Sequence, residues 1–214
     1  MPGMDVLVAG GHGQIARRFL RLLARDGHTG RGLIRNPDHV ADLEADGAHP
    51  ILCDLEHDDV RPFVGGADAI VFAAGAGAGS GDARKQTMDY GGAVKCIEAA
   101  RELGVERFVI VSAMYGHVIP EGPMRPYLLA KKAADDALMD SGLDWTVVKP
   151  GRLTNAPGSG KVELARSLGR SGEIARDDVA LVLLHVLGAD NTIRGFFDLL
   201  SGSTPVGEAV ATFS

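Results

Sequence analysis

The stretch Val8-Ala9-Gly10-Gly11-His12-Gly13-Gln14-Ile15-Ala16 decides the fold. It closes an apolar run, Met4 to Ala9, that carries β-branched Val6 and Val8 and reads as a buried strand. It then opens Gln14 to Asp26, where Ile15, Ala16, Phe19, Leu20, Leu22 and Leu23 recur at helical spacing until Gly27 stops them. Between strand and helix, Gly10 and Gly13 supply a tight turn and a backbone bare enough to approach a phosphate. The free N–H groups and dipole of the following helix favour an anion there. The chain has 29 glycines in 214 residues, so chance alone places about four Gly-x-x-Gly pairs. What makes this pair informative is its position between the first strand and the first helix.

Outward from that turn the same alternation repeats. Gly30 to Ile34 reads as a second strand, Asp38 to Ala45 as a helix stopped by Gly47, and Pro50 to Cys53 as a third strand. Ala69 to Ala74 follows as a fourth strand, with a Gly/Ala-rich loop from Gly75 to Gly81 and a helix through Val94, Ile97 and Ala100 to Gly104. Arg107 to Ser112 is the fifth strand, Pro126 to Ser141 a helix, and Trp145 to Lys149 a sixth strand stopped by Pro150-Gly151. Strands alternating with helices imply an α/β, doubly wound parallel sheet of the Rossmann type. The regularity weakens after Pro150. A helix near Asp177 to Leu187, a strand near Gly195 to Leu200 and a terminal helix after Pro205 form a small C-terminal substrate lobe, about 151–214, on a single domain 1–214.

Composition bounds the function. Hydrophobic residues make up 45%, charged residues 23%, and the formal charge is −6, which suits a folded domain and argues against a nucleic-acid footprint. Apolar runs such as Val179 to Leu187 are too short to cross a bilayer, and the N-terminus lacks a signal-peptide pattern. Cys53 and Cys96 share no metal or redox spacing, so a cytoplasmic protein without membrane or nucleic-acid partners is expected, with oligomerisation open. His57, Asp58 and Asp59 read as a helix start rather than a metal site, and no metal is expected.

In such a sheet, ligands bind outside the carboxyl ends of the strands. An acidic residue at the end of the second strand would accept the ribose 2′-hydroxyl of NAD, but that end here is Leu33-Ile34-Arg35-Asn36. Arginine pairs instead with a 2′-phosphate, so NADP is expected over NAD; the other reading of Arg35 is a solvated loop charge. Arg17 and Arg31 have the same two readings. The third signal is Tyr127-Leu128-Leu129-Ala130-Lys131. Positions i and i+4 share a helix face, and an ammonium beside a phenol favours the phenolate, which suits proton transfer near neutral pH. Chance supplies this pair only about 0.08 times in a chain of this composition.

The Gly10-x-x-Gly13 turn, Cys53-Asp54-Leu55, Phe72-Ala73-Ala74-Gly75, Val111-Ser112-Ala113, Tyr127-x-x-x-Lys131 and Lys149-Pro150-Gly151 occur in an order that resembles the short-chain dehydrogenases/reductases. The chain is most similar to their atypical, NAD(P)-binding sugar-epimerase-like branch, related to flavin and biliverdin-IXβ reductases. The likeness extends through Ile174 to Ala180. It implies a cofactor site made of Gly10, His12, Gly13, Gln14, Ile15 and Arg35, with Asp54 and Leu55 at the adenine, Ala73, Ala74 and Gly75 at the ribose, and Pro150 and Gly151 at the nicotinamide. It also implies that Lys131 binds the nicotinamide ribose and assists Tyr127 as catalyst. Two positions depart from the pattern. Ala16 replaces the third glycine of the turn, and counting back three residues from Gly116 to the family hydroxyl lands on Ala113, with Ser112 one residue early. Ser112 either orients a substrate carbonyl or is a strand-end hydroxyl bonded to backbone. His12, Met114, Tyr115, His117 and Met124 sit in loops expected to border cofactor or substrate, and His12 has a second reading as a solvated loop histidine.

The expected activity is NADP-dependent oxidoreduction of a small carbonyl, quinone or flavin-like substrate, catalysed by Tyr127, Lys131 and Ser112. Two alternatives stand beside it: a sugar epimerase using NAD(P) transiently, and a non-catalytic NADP(H)-binding sensor.

Overall fold

The computed structural model describes residues 3–75, 81–116 and 119–214. Its main sheet has nine strands. Strands β1 (Asp5–Ala9), β2 (Thr29–Ile34), β3 (His49–Leu52), β4 (Ala69–Phe72), β5 (Arg107–Val111) and β6 (Asp144–Pro150) carry out the expected alternation with helices. Two short parallel strands, β7 (Arg152–Thr154) and β9 (Glu173–Ala175), form a separate ribbon. Strands β8 (Lys161–Ala165), β10 (Gly195–Ser201) and β11 (Thr204–Pro205) extend the main sheet, whose order is β11-β8-β10-β6-β5-β4-β1-β2-β3. From β3 to β10 every neighbour is parallel; β8 and β11 join antiparallel. The strand order reverses between β1 and β4, the switch point where doubly wound sheets open a crevice for ligand.

The helices are α1 (Gln14–Arg25), α2 (Val40–Ala45), α3 (Arg61–Val64), α4 (Asp82–Arg84), α5 (Ala93–Leu103), α6 (Arg125–Met139), α7 (Arg176–Leu187) and α8 (Val206–Ala211). A π-helical segment, Lys85–Gly92, runs into α5. Successive strand side chains point to opposite faces, and the core divides accordingly. Val6, Val8, Val71 and Val109 meet Phe19, Leu20 and Leu23 of α1 and Val179 and Leu183 of α7, while Leu7, Ile70, Phe72, Phe108 and Ile110 meet Cys96, Ile97 and Ala100 of α5 and Leu138 of α6. Because β1, β4 and β5 are buried on both faces, their sequences are continuous apolar runs rather than alternating ones.

Two expectations are corrected here. His57 and Asp58 lie in a turn rather than a helix, with Asp54 accepting from the Glu56 N–H at 2.9 Å and its backbone carbonyl from the His57 N–H at 3.0 Å, and only Asp59 serves a helix start, accepting the N–H of Arg61, where α3 begins, at 3.1 Å. The third strand ends at Leu52, with the Cys53 N–H still donating to the Ile34 carbonyl at 2.8 Å.

Candidate active site

The turn between β1 and α1 is held by its own backbone. Gly10 has φ +81°, which L side chains rarely adopt, and a Cβ there would sit 2.6 Å from the Ala74 Cα. The Gly13 N–H closes the turn on the Gly10 carbonyl at 2.8 Å. Gly13 then caps α1 with no side-chain hydrogen bond, and no acidic residue occupies the first helical turn. The helix therefore presents unspent N–H groups and an uncompensated positive dipole end to the crevice. This is the chemistry a pyrophosphate requires.

Beside the turn lies a cleft of about 260 Å³ lined by Gly10, His12, Gly13, Leu33, Ile34, Arg35, His39, Cys53, Asp54, Leu55, Ala73, Ala74, Gly75, Arg84 and Met88. Nine residues singled out for cofactor contact thus share one wall system: Gly10, His12, Gly13, Arg35, Asp54, Leu55, Ala73, Ala74 and Gly75. Gln14 and Ile15 follow at the start of α1, Gln14 exposed and Ile15 turned into the core. The part of the Gly75 to Gly81 loop at 76–80, and His117, lie outside the described residues. Arg35 is half exposed, and its nearest carboxylate, Glu56, is 4.0 Å away and is itself held by Thr87 at 2.6 Å and Arg84 at 3.1 Å. The Arg35 guanidinium is therefore open to an incoming anion.

Arg17 and Arg31 are engaged with carboxylates rather than free for a phosphate in this structure. Arg17 reaches Asp46 at 2.6 Å and Asp42 at 3.2 Å, and Arg31 binds Asp5 and the Phe63 carbonyl, both at 2.7 Å. His12 is not a solvated loop residue either. Its Nε2 lies 2.7 Å from Asp42, and its ring stacks on His39 at 3.5 Å.

A second group of residues gathers at the C-terminal ends of β4, β5 and β6. Lys131 is buried on α6 and donates to the carbonyls of Ala74 and Val111, each at 3.3 Å, and pairs with the buried Asp89 at 3.1 Å. Its Nζ lies 5.8 Å from the Tyr127 ring centroid. The i, i+4 spacing does bring the pair together, but the expected effect on the phenol is corrected: burial pushes the Tyr127 pKa up, and the Lys131 charge offsets only part of that rise. Tyr127 is accordingly a protonated phenol at neutral pH.

Ser112 is also corrected. It is buried, and its hydroxyl donates to Asp135 at 2.8 Å, so it is neither open to a substrate carbonyl nor bonded to backbone. Tyr115 donates to the same carboxylate oxygen at 2.6 Å, and burial pushes the Asp135 pKa up despite these two donors. Pro150 and Gly151 are packed into the sheet end. The Pro150 carbonyl accepts from the Met114 N–H at 3.1 Å, and a Cβ on Gly151 would meet Leu200 Cδ2 at 2.4 Å. Met124 is exposed ahead of α6.

Sequence reasoning missed His39, Arg84, Met88, Asp89 and Asp135. Asp89 and Met88 sit in the π-helical segment, whose period differs from the 3.6 that marks ordinary helices. Asp135 lies four residues beyond Lys131 and repeats its spacing, the one signal that could have found it. Among the described residues, no group of three or more His, Cys, Asp or Glu side chains is arranged to hold a metal ion, and no helix is long and apolar enough to cross a membrane.

A family profile described as NAD(P)H-binding matches residues 10–190. The chain belongs to this NAD(P)H-binding family. It is 40% identical over 212 residues to a Bacillus subtilis (strain 168) protein named as an uncharacterized sugar epimerase, YhfK, covering 97% of this chain and 99% of that one. A solved structure described as a putative NAD-dependent epimerase/dehydratase from Bacillus halodurans superposes with a TM-score of 0.93 at 37% identity, covering 97% of this chain and 99% of the other. Sanguinarine reductase of Eschscholzia californica is 30% identical over 137 residues, 60% of this chain and 50% of its own. The chain is thus an NAD(P)-binding protein of an oxidoreductase and epimerase-like family with a Rossmann-type fold.

Proposed function

We propose that this protein is an NADP(H)-dependent oxidoreductase that reduces a small carbonyl, quinone or flavin-like molecule. One observation carries the reading: Lys131 donates to the carbonyl of Ala74, a residue that also lines the cofactor cleft, so the Tyr127/Lys131 pair is tied to the wall of that cleft. The bound nicotinamide would supply the hydride. Tyr127, kept protonated by burial, delivers the proton that balances the hydride, to the oxygen of a carbonyl or quinone or to a ring nitrogen of a flavin-like substrate. Lys131 supports the pair as a fixed charge, anchored by Asp89 and two carbonyls. Arg35, at the cleft and paired with Glu56 only at 4.0 Å, favours the 2′-phosphate of NADP over NAD.

The test follows NADPH oxidation by absorbance with a panel of quinones, flavins, aldehydes and ketones, running Tyr127→Phe beside the native protein. The expected result is turnover that falls about 10²-fold or more in the variant while NADPH still binds. Equal turnover in the two proteins overturns the role of Tyr127. A second reading, reversible oxidation and re-reduction within an epimerase, draws on the name of the Bacillus subtilis relative. It predicts NADPH binding with no net oxidation by any acceptor.

A further inference from the structure

One buried cation at the substrate end of the sheet has no carboxylate within ion-pair distance among the described residues, and it feels Asp135, Asp198 and Asp136 only at longer range. Lys149, the penultimate residue of β6, is only 8% exposed. Its Nζ lies 4.4 Å from the Tyr115 ring centroid and 4.6 Å from that of Phe196. Among the described residues it makes no hydrogen bond and no ion pair. The two carboxylates nearest in the fold are already engaged. Asp135 accepts from Ser112 and Tyr115, and Asp198, which faces Lys149 across the β6–β10 register, accepts the Leu168 N–H at 3.1 Å.

A second unpaired cation rests against the same ring. The Arg166 guanidinium, exposed just past β8, lies 5.7 Å from the Phe196 centroid and 5.5 Å from that of Phe213 and has no ion pair among the described residues. By contrast, Arg17, Arg18, Arg31, Arg61 and Arg84 each reach a carboxylate within 3.2 Å. A largely buried ammonium costs free energy unless an anion or acceptor meets it, and aromatic faces offset only part of that cost. Burial accordingly lowers the Lys149 pKa.

We propose that Lys149, assisted by Arg166, binds a carboxylate carried by the substrate, with Tyr115 and Phe196 flanking the anion. This deepens the oxidoreductase reading and rests on it, because Lys149 directly precedes Pro150 at the strand end where substrate and nicotinamide would meet. It narrows the substrate class to carboxylate-bearing carbonyl, quinone or flavin-like compounds.

The test titrates NADPH-saturated protein by calorimetry with benzoate and with its neutral counterpart benzamide. Benzoate is expected to bind at least about tenfold more tightly, the usual scale of a hydrogen bond to a charged group. Lys149→Met is expected to abolish that preference and Lys149→Arg to retain part of it. Arg166→Gln, at an exposed position that leaves folding intact, is expected to weaken benzoate about threefold and gives a readout even if Lys149→Met does not fold. The proposal is overturned if neither probe binds, if both bind alike, or if Lys149→Met and Arg166→Gln leave benzoate affinity unchanged. The NADPH titration and a benzoate titration of cofactor-free protein separate the two readings. Failure to bind NADPH removes the oxidoreductase reading and with it the substrate role of Lys149, leaving at most an anion site seen in the cofactor-free titration, whereas loss of benzoate selectivity with NADPH bound removes the carboxylate site alone.

Discussion

The two ends of the candidate site are built in opposite ways. At the β1–α1 turn the ligand-facing groups are backbone N–H groups and glycines, and their positions follow from local conformation: φ +81° at Gly10, the Gly13 to Gly10 hydrogen bond, an uncapped helix start. At the ends of β5 and β6 the groups are side chains drawn from distant segments. Ser112 and Tyr115 donate to one carboxylate oxygen of Asp135 from 20 or more residues away in sequence, and Lys131 reaches Asp89 within the π-helical segment. Local geometry makes an anion site from few residues at small cost. Proton chemistry needs groups at fixed distances in a dry environment, and only tertiary packing supplies that.

The comparison breaks first at Gly10. Gly10→Val puts a branched side chain in the left-handed region, and its Cβ would lie 2.6 Å from the Ala74 Cα and 2.8 Å from the Ala74 nitrogen. Because both neighbours are backbone, the strand end must move. Backbone strain of about 1–3 kcal/mol, added to the clash, predicts NADPH binding weakened by about 10²-fold or more in fluorescence titrations, together with a lower Tm. Unchanged binding would mean that the cofactor does not use this turn.

Arg35 is the side-chain exception within the backbone-built end. Arg35→Asp removes a cation that lies 4.0 Å from Glu56 and places a carboxylate where a ribose 2′-hydroxyl can donate to it. The ratio of NADPH to NADH affinity is expected to fall by about 10- to 100-fold, the loss of a charge-assisted contact. Equal affinities in the native protein would refute the assignment before any variant is made.

These differences explain what the sequence reveals. The six strands β1 to β6, the helices α1, α5, α6 and α7, and the cleft residues Gly10, Gly13 and Arg35 follow from apolar runs, glycine stops, strand ends and helical spacing, all of them local signals, whereas His12, Asp54, Leu55, Ala73, Ala74 and Gly75 follow only from the family resemblance. Strands β7, β8, β9 and β11 are two to five residues long, mostly at edges and only partly buried, so their sequences carry no continuous apolar run. The buried partners of the catalytic pair are hidden for another reason. Asp89 and Asp135 are fully buried carboxylates, which sequence statistics place at the surface, and only their partners make burial tolerable. Ser112 shows the same limit. Its position at a strand end is legible, but its hydrogen-bond partner 23 residues away is not.

The smallest expected effect tests that buried end directly. Asp135 accepts from two hydroxyls, and burial raises its pKa above that of the unfolded chain, with the Lys131 and Lys149 charges offsetting part of the rise. A carboxyl group whose folded pKa is raised binds more protons in the native state than in the unfolded one. Its contribution to stability is therefore fully present below the unfolded pKa, near 4, and is lost as pH rises through the folded value. Asp135→Asn removes this titration and keeps a polar group beside Ser112 and Tyr115, whose hydroxyls can rotate to accept as well as donate. Urea midpoints measured from pH 4 to pH 8 are expected to lie within about 1 kcal/mol of native at the acid end. The gap should then shift in favour of the variant as pH rises. A difference between native and variant that stays constant across that range would show that Asp135 titrates alike in the folded and unfolded chains. The hydrogen bonds from Ser112 and Tyr115 would then balance the cost of burial, and the two ends of the site would differ in geometry alone.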